Sequence, residues 1–369
     1  MKKSLLTAAL LASFAGGAQA ETSVTLYGLI DTGIGYNKVD GPGYDGSRIG
    51  MINGFQSGSR WGLRGTEDLG DGLRAIFQLE SGFDSGNGNR FQGGRLFGRQ
   101  ATIGLANDSW GILEFGRQTN MASKYLPDID PFYTSFLQAN MGVGASAGNT
   151  TRWDNMVMYR TPSVSGFEFG VGYSFSVDDN NGDQTGFRTA DNTRGITAGL
   201  RYLNGPLNIT LTYDQLNGSN SSATVDTDAT PRQYTVGLAY DFSVVKLAAS
   251  YARTTDGWFT GEDLPAGTPF SNELGTNRFV DGFRANAYMV GGTVPIGGAS
   301  SVFASWQRID PSNDRLTGDD ATTNIWSLGY TYDLSKRTDM YVFGSYAKDY
   351  AFIDDLKSTS GGIGLRHRF

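Results

Sequence analysis

The chain has 369 residues and a formal charge of −7, from 30 Lys and Arg against 37 Asp and Glu; an acidic balance of this kind argues against a nucleic-acid partner. With no cysteine it can build neither a disulfide scaffold nor a cysteine nucleophile. Fifty-two glycines beside 12% aromatic residues, without the collagen repeat, suggest short strands whose backbones approach closely.

Met1–Ala20 reads as a cleavable export signal. Lys2 and Lys3 supply the positive start, Leu5–Ala15 the short apolar core and Ala18-Gln19-Ala20 the small-residue cleavage site, so the mature chain is expected to begin near Glu21. No later stretch reaches 18 consecutive apolar residues, which excludes a transmembrane helix but not a membrane barrel.

From Glu21 onward, alternation dominates. Phe167, Phe169, Val171, Tyr173, Phe175 and Val177 share one face opposite Glu168, Gly170, Gly172, Ser174 and Ser176. Tyr234, Val236, Leu238, Tyr240 and Phe242 likewise oppose Thr235, Gly237, Ala239 and Asp241. A period of two places each set on one side of a sheet. The runs are about 9–11 residues long, enough to cross a bilayer at a tilt, and aromatics sit at their ends as interfacial girdles require. Sixteen such runs are expected, beginning near Ser23, Ser47, Gly72, Arg95, Trp110, Arg152, Gly166, Thr193, Gly205, Arg232, Ser243, Arg284, Gly298, Thr323, Lys336 and Ser358. Short turns, such as Asp68–Gly72 and Leu203–Pro206, alternate with long connections, such as Asn37–Gly46, Phe83–Gly94, Asp178–Asn192 and Thr255–Phe283. The expected fold is therefore all-β, a transmembrane antiparallel β-barrel of 16 strands with its short turns on the periplasmic side.

The rhythm stops once, at Thr119–Thr151, which carries Pro127, Pro131, two aspartates and the aromatics Tyr125, Phe132, Tyr133 and Phe136. A loop of that length is functional or disordered, and its aromatics argue against disorder. We expect it to fold into the hollow of the barrel and to bring Asp128 and Asp130 to a constriction. Alternation turns Arg60 and Arg64 away from the apolar Trp61 and Leu63, and Glu80 away from Phe77 and Leu79. It groups Arg152, Met158 and Arg160 opposite Val157 and Tyr159. An arginine at the lipid midplane would cost about 2–4 kcal/mol, so these side chains are expected to face the lumen. Arg99 is ambiguous, because apolar residues occur at both parities around it.

Other motifs carry less. Asp178-Asp179-Asn180-Asn181-Gly182-Asp183 has its glycine one position too early for an EF-hand and reads as a solvated outer loop. Gly33 and Gly35 open no helix, which excludes a dinucleotide fingerprint. His367 is the only histidine, so a Ser–His or His-ligated metal site would have to be built on that residue alone. Neither an enzyme, a metal nor a cofactor is expected.

Three stretches in order, Val24-Thr25-Leu26-Tyr27-Gly28, Arg64-Gly65-Thr66-Glu67-Asp68-Leu69-Gly70 and the closing Gly361-Gly362-Ile363-Gly364-Leu365-Arg366-His367-Arg368-Phe369, resemble the general diffusion porins of Gram-negative outer membranes. The resemblance spans essentially the whole mature chain. It implies a homotrimer in the outer membrane, among lipid and lipopolysaccharide. It implies a third extracellular loop folded into the lumen at Thr119–Thr151, a terminal Phe369 read by the outer-membrane assembly machinery, and an inward arginine at Arg99. Where the family often carries a further basic residue after the loop, this chain has Met158, and Arg152 or Arg160 stands in. The expected function is passive diffusion of small hydrophilic solutes and ions past a waist formed by Arg60, Arg64, Arg99, Arg152, Arg160, Glu80, Asp128 and Asp130, with a weak anion preference. The rivals are a sugar- or phosphate-specific channel with an aromatic slide at Tyr125, Phe132 and Tyr133, and an adhesin that uses the long outer loops.

Overall fold

The computed structural model describes residues 23–42, 44–149, 151–177, 192–219, 229–259 and 280–369. Met1–Ala20, the Asp178–Asp183 run and much of three outer connections lie outside these residues.

Alternating lipid-facing and inward-facing residues produce a ladder of antiparallel strands. The first is β1 (Ser23–Gly41), followed by β2 (Tyr44–Asn53), β3 (Arg60–Gly70), β4 (Leu73–Gly82), β5 (Gln100–Asn107) and β6 (Gly111–Thr119). After the long connection come β7 (Arg152–Arg160), β8 (Phe167–Ser174), β9 (Arg194–Asn204), β10 (Leu207–Asn217), β11 (Arg232–Asp241) and β12 (Lys246–Thr255). The wall is completed by β13 (Arg284–Ile296), β14 (Ser300–Pro311), β15 (Thr323–Asp333), β16 (Thr338–Lys348) and β17 (Lys357–Arg368).

These seventeen segments form sixteen staves of a closed barrel. Both β2 and β3 pair with β1, from Thr32↔Asn53 to Gly41↔Tyr44 and from Ser23↔Thr66 to Leu29↔Arg60. They are therefore the two halves of one stave, interrupted at residues 54–59. The seam is made by β1 against β17, from Leu29↔Arg368 to Asp40↔Lys357. Closure leaves no unpaired sheet edge, which lipid requires.

Exposure follows the pleat. On β11, Tyr234, Val236, Leu238 and Tyr240 are exposed, whereas Gln233, Thr235 and Ala239 are buried. An apolar outer band over a polar inner face is the arrangement of a membrane barrel. Three expectations need correction. The first outer connection is not a loop over Asn37–Gly46, because the ladder continues through Val39↔Gly46 and the buried Val39 holds the pleat. The second stave is not continuous. The fourth begins at Gln100 rather than near Arg95, since the Arg95 side chain is bonded to the Gln92 carbonyl and to Asp154.

Candidate functional site

The connection between β6 and β7 starts with a short helix, α1 (Met121–Tyr125), whose Asn120 cap accepts from the Ser123 amide at 3.1 Å. Single 3₁₀ turns follow at Leu126–Asp128, Leu137–Ala139, Met141–Val143 and Ser146–Gly148. The segment is fastened to buried polar side chains of distant strands. Asn120 donates to Asp214 on β10 at 2.8 Å, and the Met121 amide donates to Thr197 on β9 at 2.8 Å. Gln233 on β11 accepts from the Ala147 amide at 2.9 Å, and Gln307 on β14 donates to the Ala139 carbonyl at 3.0 Å. Gln138 accepts from Ser358 on β17 at 2.6 Å.

Four wall glycines give this segment its room. A β-carbon at Gly170, Gly199, Gly237 or Gly291 would stand 2.4–2.9 Å from Met121, Tyr125, Ile129 or Pro131 respectively. The side chains of the segment occupy the space that wall side chains would otherwise fill.

The tip is locked by aromatic rings. Phe136 lies 5.3 Å from Phe343 and 5.4 Å from Tyr341, Phe132 lies 4.9 Å from Phe303, and Phe55 lies 5.0 Å from Phe343. Each such edge-on pair is worth about 0.5–1.5 kcal/mol beyond its burial. This packing holds Tyr133, Thr134, Phe136 and Leu137 at positive φ, between 50° and 67°, which costs L residues energy and needs a surrounding structure that enforces it.

Facing the tip is a cavity of about 560 Å³. Arg60, Arg99, Arg366 and Arg368 line it together with Asp333 and Asp339, and Tyr133–Phe136 form the opposing side. Arg99 is paired with Glu80 at 2.6 Å, and Glu80 also accepts from the Tyr27 hydroxyl at 3.0 Å. Asp339, 1% exposed, carries both Arg366 at 3.1 Å and Arg368 at 3.3 Å. Among the described residues Arg60 makes no direct ion pair; it lines the cavity beside Glu80, which is bonded to Arg99.

The expected site residues thus separate. Arg60 and Arg99 share the cavity, with Glu80 beside Arg99. Arg64 and Arg160 line a different cavity of about 300 Å³ with Gln78 and Glu114. There Arg160 pairs with Glu114 at 3.1 Å, and Arg64 lies 5.3 Å above the Tyr27 ring. Arg152 donates to the Arg99 carbonyl at 3.0 Å. Its parity is shifted from that of Met158 and Arg160 because β7 carries one extra residue against β6 where the register breaks between Gly116 and Gln118. Asp128 pairs with Arg201 at 3.2 Å, and its carbonyl accepts from Lys246 at 2.6 Å. Asp130 is not on the cavity wall. It is 2% exposed and accepts from the amides of Phe132, Thr134 and Met141 at 2.9–3.0 Å, and burial pushes its carboxyl up to about 6. Phe369 exchanges two backbone hydrogen bonds with Gly28, at 3.0 and 3.1 Å.

Sequence reasoning missed Arg366, Arg368 and Asp339. Parity would have found the first two, since Gly362, Gly364, Arg366 and Arg368 oppose Ile363 and Leu365. Asp339 carries no such signal, because its partners lie on the next strand.

Residues 7–350 match the family model described as Gram-negative porin. An outer membrane porin protein of Bordetella pertussis is 65% identical over 389 aligned residues, covering 100% of both chains. Outer membrane porin protein 32 of Delftia acidovorans is 34% identical over 350 residues, covering 92% of this chain and 88% of that one. Among solved structures, an anion-selective porin from Comamonas acidovorans superposes with a TM-score of 0.73 at 29% identity, over 95% of this chain and 100% of that one.

Proposed function

The chain belongs to the Gram-negative porin family, and from that premise we propose that it is a passive, weakly anion-preferring pore whose waist lies between the Tyr133–Phe136 tip and the arginine-lined wall. It is an outer-membrane channel for small hydrophilic solutes and ions. One observation carries the anion preference: four guanidiniums and two carboxylates line the cavity, so a permeating anion meets net positive charge at close range. The anion-selective neighbour supports the same sign.

The segment Thr119–Thr151 is the constriction loop in this reading. Arg60, Arg99, Arg366 and Arg368 supply the basic side, with Glu80 tempering Arg99. Arg64 and Arg160 extend the basic lining into the second cavity. Asp130 braces the loop from within, whereas Asp128, exposed beside Arg201, adds a carboxylate to the lumen. The aromatic slide of a sugar channel is not favoured, because Tyr125 and Phe132 are buried and Tyr133 alone of the three is exposed. No turnover and no cofactor enter. We propose further that Met1–Ala20 directs export, that the pore is a homotrimer among lipid and lipopolysaccharide, and that Phe369 is read by the assembly machinery.

The test is reconstitution of the mature protein in a planar bilayer under a salt gradient. Current steps in groups of three with a reversal potential of anionic sign are expected. A cationic sign would overturn the arginine-dominated waist.

A further inference from the structure

The interruption of the second stave is not a defect of pairing. Between Asn53 and Arg60 the chain spends six residues where β1 spends two, since the flanking register pairs are Thr32↔Asn53 and Leu29↔Arg60. One residue, Asp31, pins both ends of the excursion. Its carbonyl accepts from the Gly54 amide at 2.9 Å and from the Ser59 hydroxyl at 3.0 Å. Its own amide donates to the same hydroxyl at 3.0 Å. Its carboxylate accepts from the Ser57 amide at 2.6 Å and from the Tyr341 hydroxyl. Asp31 is wholly buried, and an anion is buried this way only where donors surround it.

The excursion reaches toward the loop tip. The Phe55 carbonyl accepts from the Phe136 amide at 2.6 Å, and the Phe55 ring joins the aromatic cluster of the tip. Its polar residues Gln56, Ser57 and Gly58 line the cavity. Ser57 accepts from Arg366 at 2.7 Å, and the Gln56 amide, turned to suit its neighbours, donates to Asp339 at 2.7 Å and accepts from Arg366 at 3.0 Å. Gly58 lies so close to Arg99 that a β-carbon there would stand 3.0 Å from the guanidinium.

We propose that residues 54–59 are a second constriction element. They form an inward excursion of the wall that meets the loop tip, separates Arg99 from Arg366 and holds both guanidiniums toward the passing ion. Asp31 is its positioning residue. A simple bulge would only bend the strand; this one delivers a ring to the tip cluster and two polar side chains to the charged wall. The inference rests on the waist proposed above and adds a structural owner for its basic side.

The absence of cysteine makes the test direct. Single variants Gln56→Cys and Ser135→Cys, the latter on the loop tip, are reconstituted, and each open pore is exposed to methanethiosulfonate reagents carrying either a sulfonate or a trimethylammonium group. Heat-modifiable migration of each variant before labelling serves as the folding control, and Ser57→Cys replaces Gln56→Cys if that variant folds poorly. Labelling at Gln56→Cys is expected to reduce the current step by about half or more. The reversal potential is expected to move toward cations with the sulfonate and toward anions with the trimethylammonium. A merely structural segment would not respond to the sign of the reagent. If Ser135→Cys responds and Gln56→Cys does not, the second element is refuted and the waist stands. If neither responds, the waist itself is refuted.

Discussion

Replacing Arg60 by glutamine removes one of the four guanidiniums at the cavity without stranding a paired carboxylate among the described residues. An ion passing about 5 Å from a unit charge in a water-filled pore feels about 0.8 kcal/mol, reduced to about 0.5 kcal/mol by salt near 0.1 M. Anion and cation feel it with opposite signs, so the loss changes their relative preference by about 1 kcal/mol, or about fivefold. Expressed as voltage, the shift is bounded by about 40 mV. Arg60→Gln should therefore move the reversal potential toward cations by tens of millivolts in a salt-gradient bilayer recording, and less as the salt rises. Arg99→Gln should move it further, because Glu80, bonded to Arg99 at 2.6 Å, is then left facing the pore. A shift toward anions, or none in Arg60→Gln pores that conduct normally, would refute the placement of Arg60 on the ion path.

Phe136→Ala empties the centre of the cluster formed by Phe132, Phe303, Tyr341 and Phe343, at about 3–5 kcal/mol to the loop tip. Noisier open-channel current with unchanged heat resistance of the barrel is expected, since no ladder bond is lost. Gly237→Val would push against Ile129, whose side chain lies 2.9 Å from the position of the new β-carbon, at about 1–3 kcal/mol. Limited proteolysis should then cut within residues 126–131 faster than in the parent. Burial raises Asp130 to about 6, so the packed loop binds a proton more readily than the unfolded chain. Loop packing should be tightest below about pH 4 and weaken as the pH rises through about 6, by about 3 kcal/mol in full. Hydrogen exchange at the Phe132, Thr134 and Met141 amides, corrected for intrinsic rates, should show more protection at pH 5 than at pH 7.5. The reverse order would contradict the burial of that carboxyl.

Much of the wall was legible because a lipid-facing strand admits little but alternation. Tyr234 to Tyr240 and Phe167 to Tyr173 name their outward face without help from the rest of the chain. The same parity is what directs Arg60 on β3 and Glu80 on β4 away from their apolar neighbours. Loop charges have no such period, which is why Asp130 looked like a pore residue and proved to be a ligand for backbone amides. Parity alone could not place Arg152, since a bulge in β7 shifts its register from that of Met158 and Arg160, yet its side chain reaches the Arg99 carbonyl. The break in the second stave was written in Gly54 and in the run Ser57-Gly58-Ser59, turn formers within an otherwise alternating strand. The inward glycines could be read as close packing, but not as the bed of a loop, because the partners Met121 to Pro131 come from another part of the chain.

The seam between β1 and β17 has a consequence for how such a wall can come into being. Every other ladder joins staves that are neighbours along the chain, but this one joins the first to the last. Pairing over that separation pays its entropy before any bond rewards it, and makes folding slow. Until it zips, the sheet carries two raw borders able to stick to any similar border nearby. A wall short of its seam would offer the lipid unmet hydrogen-bonding groups along its full height.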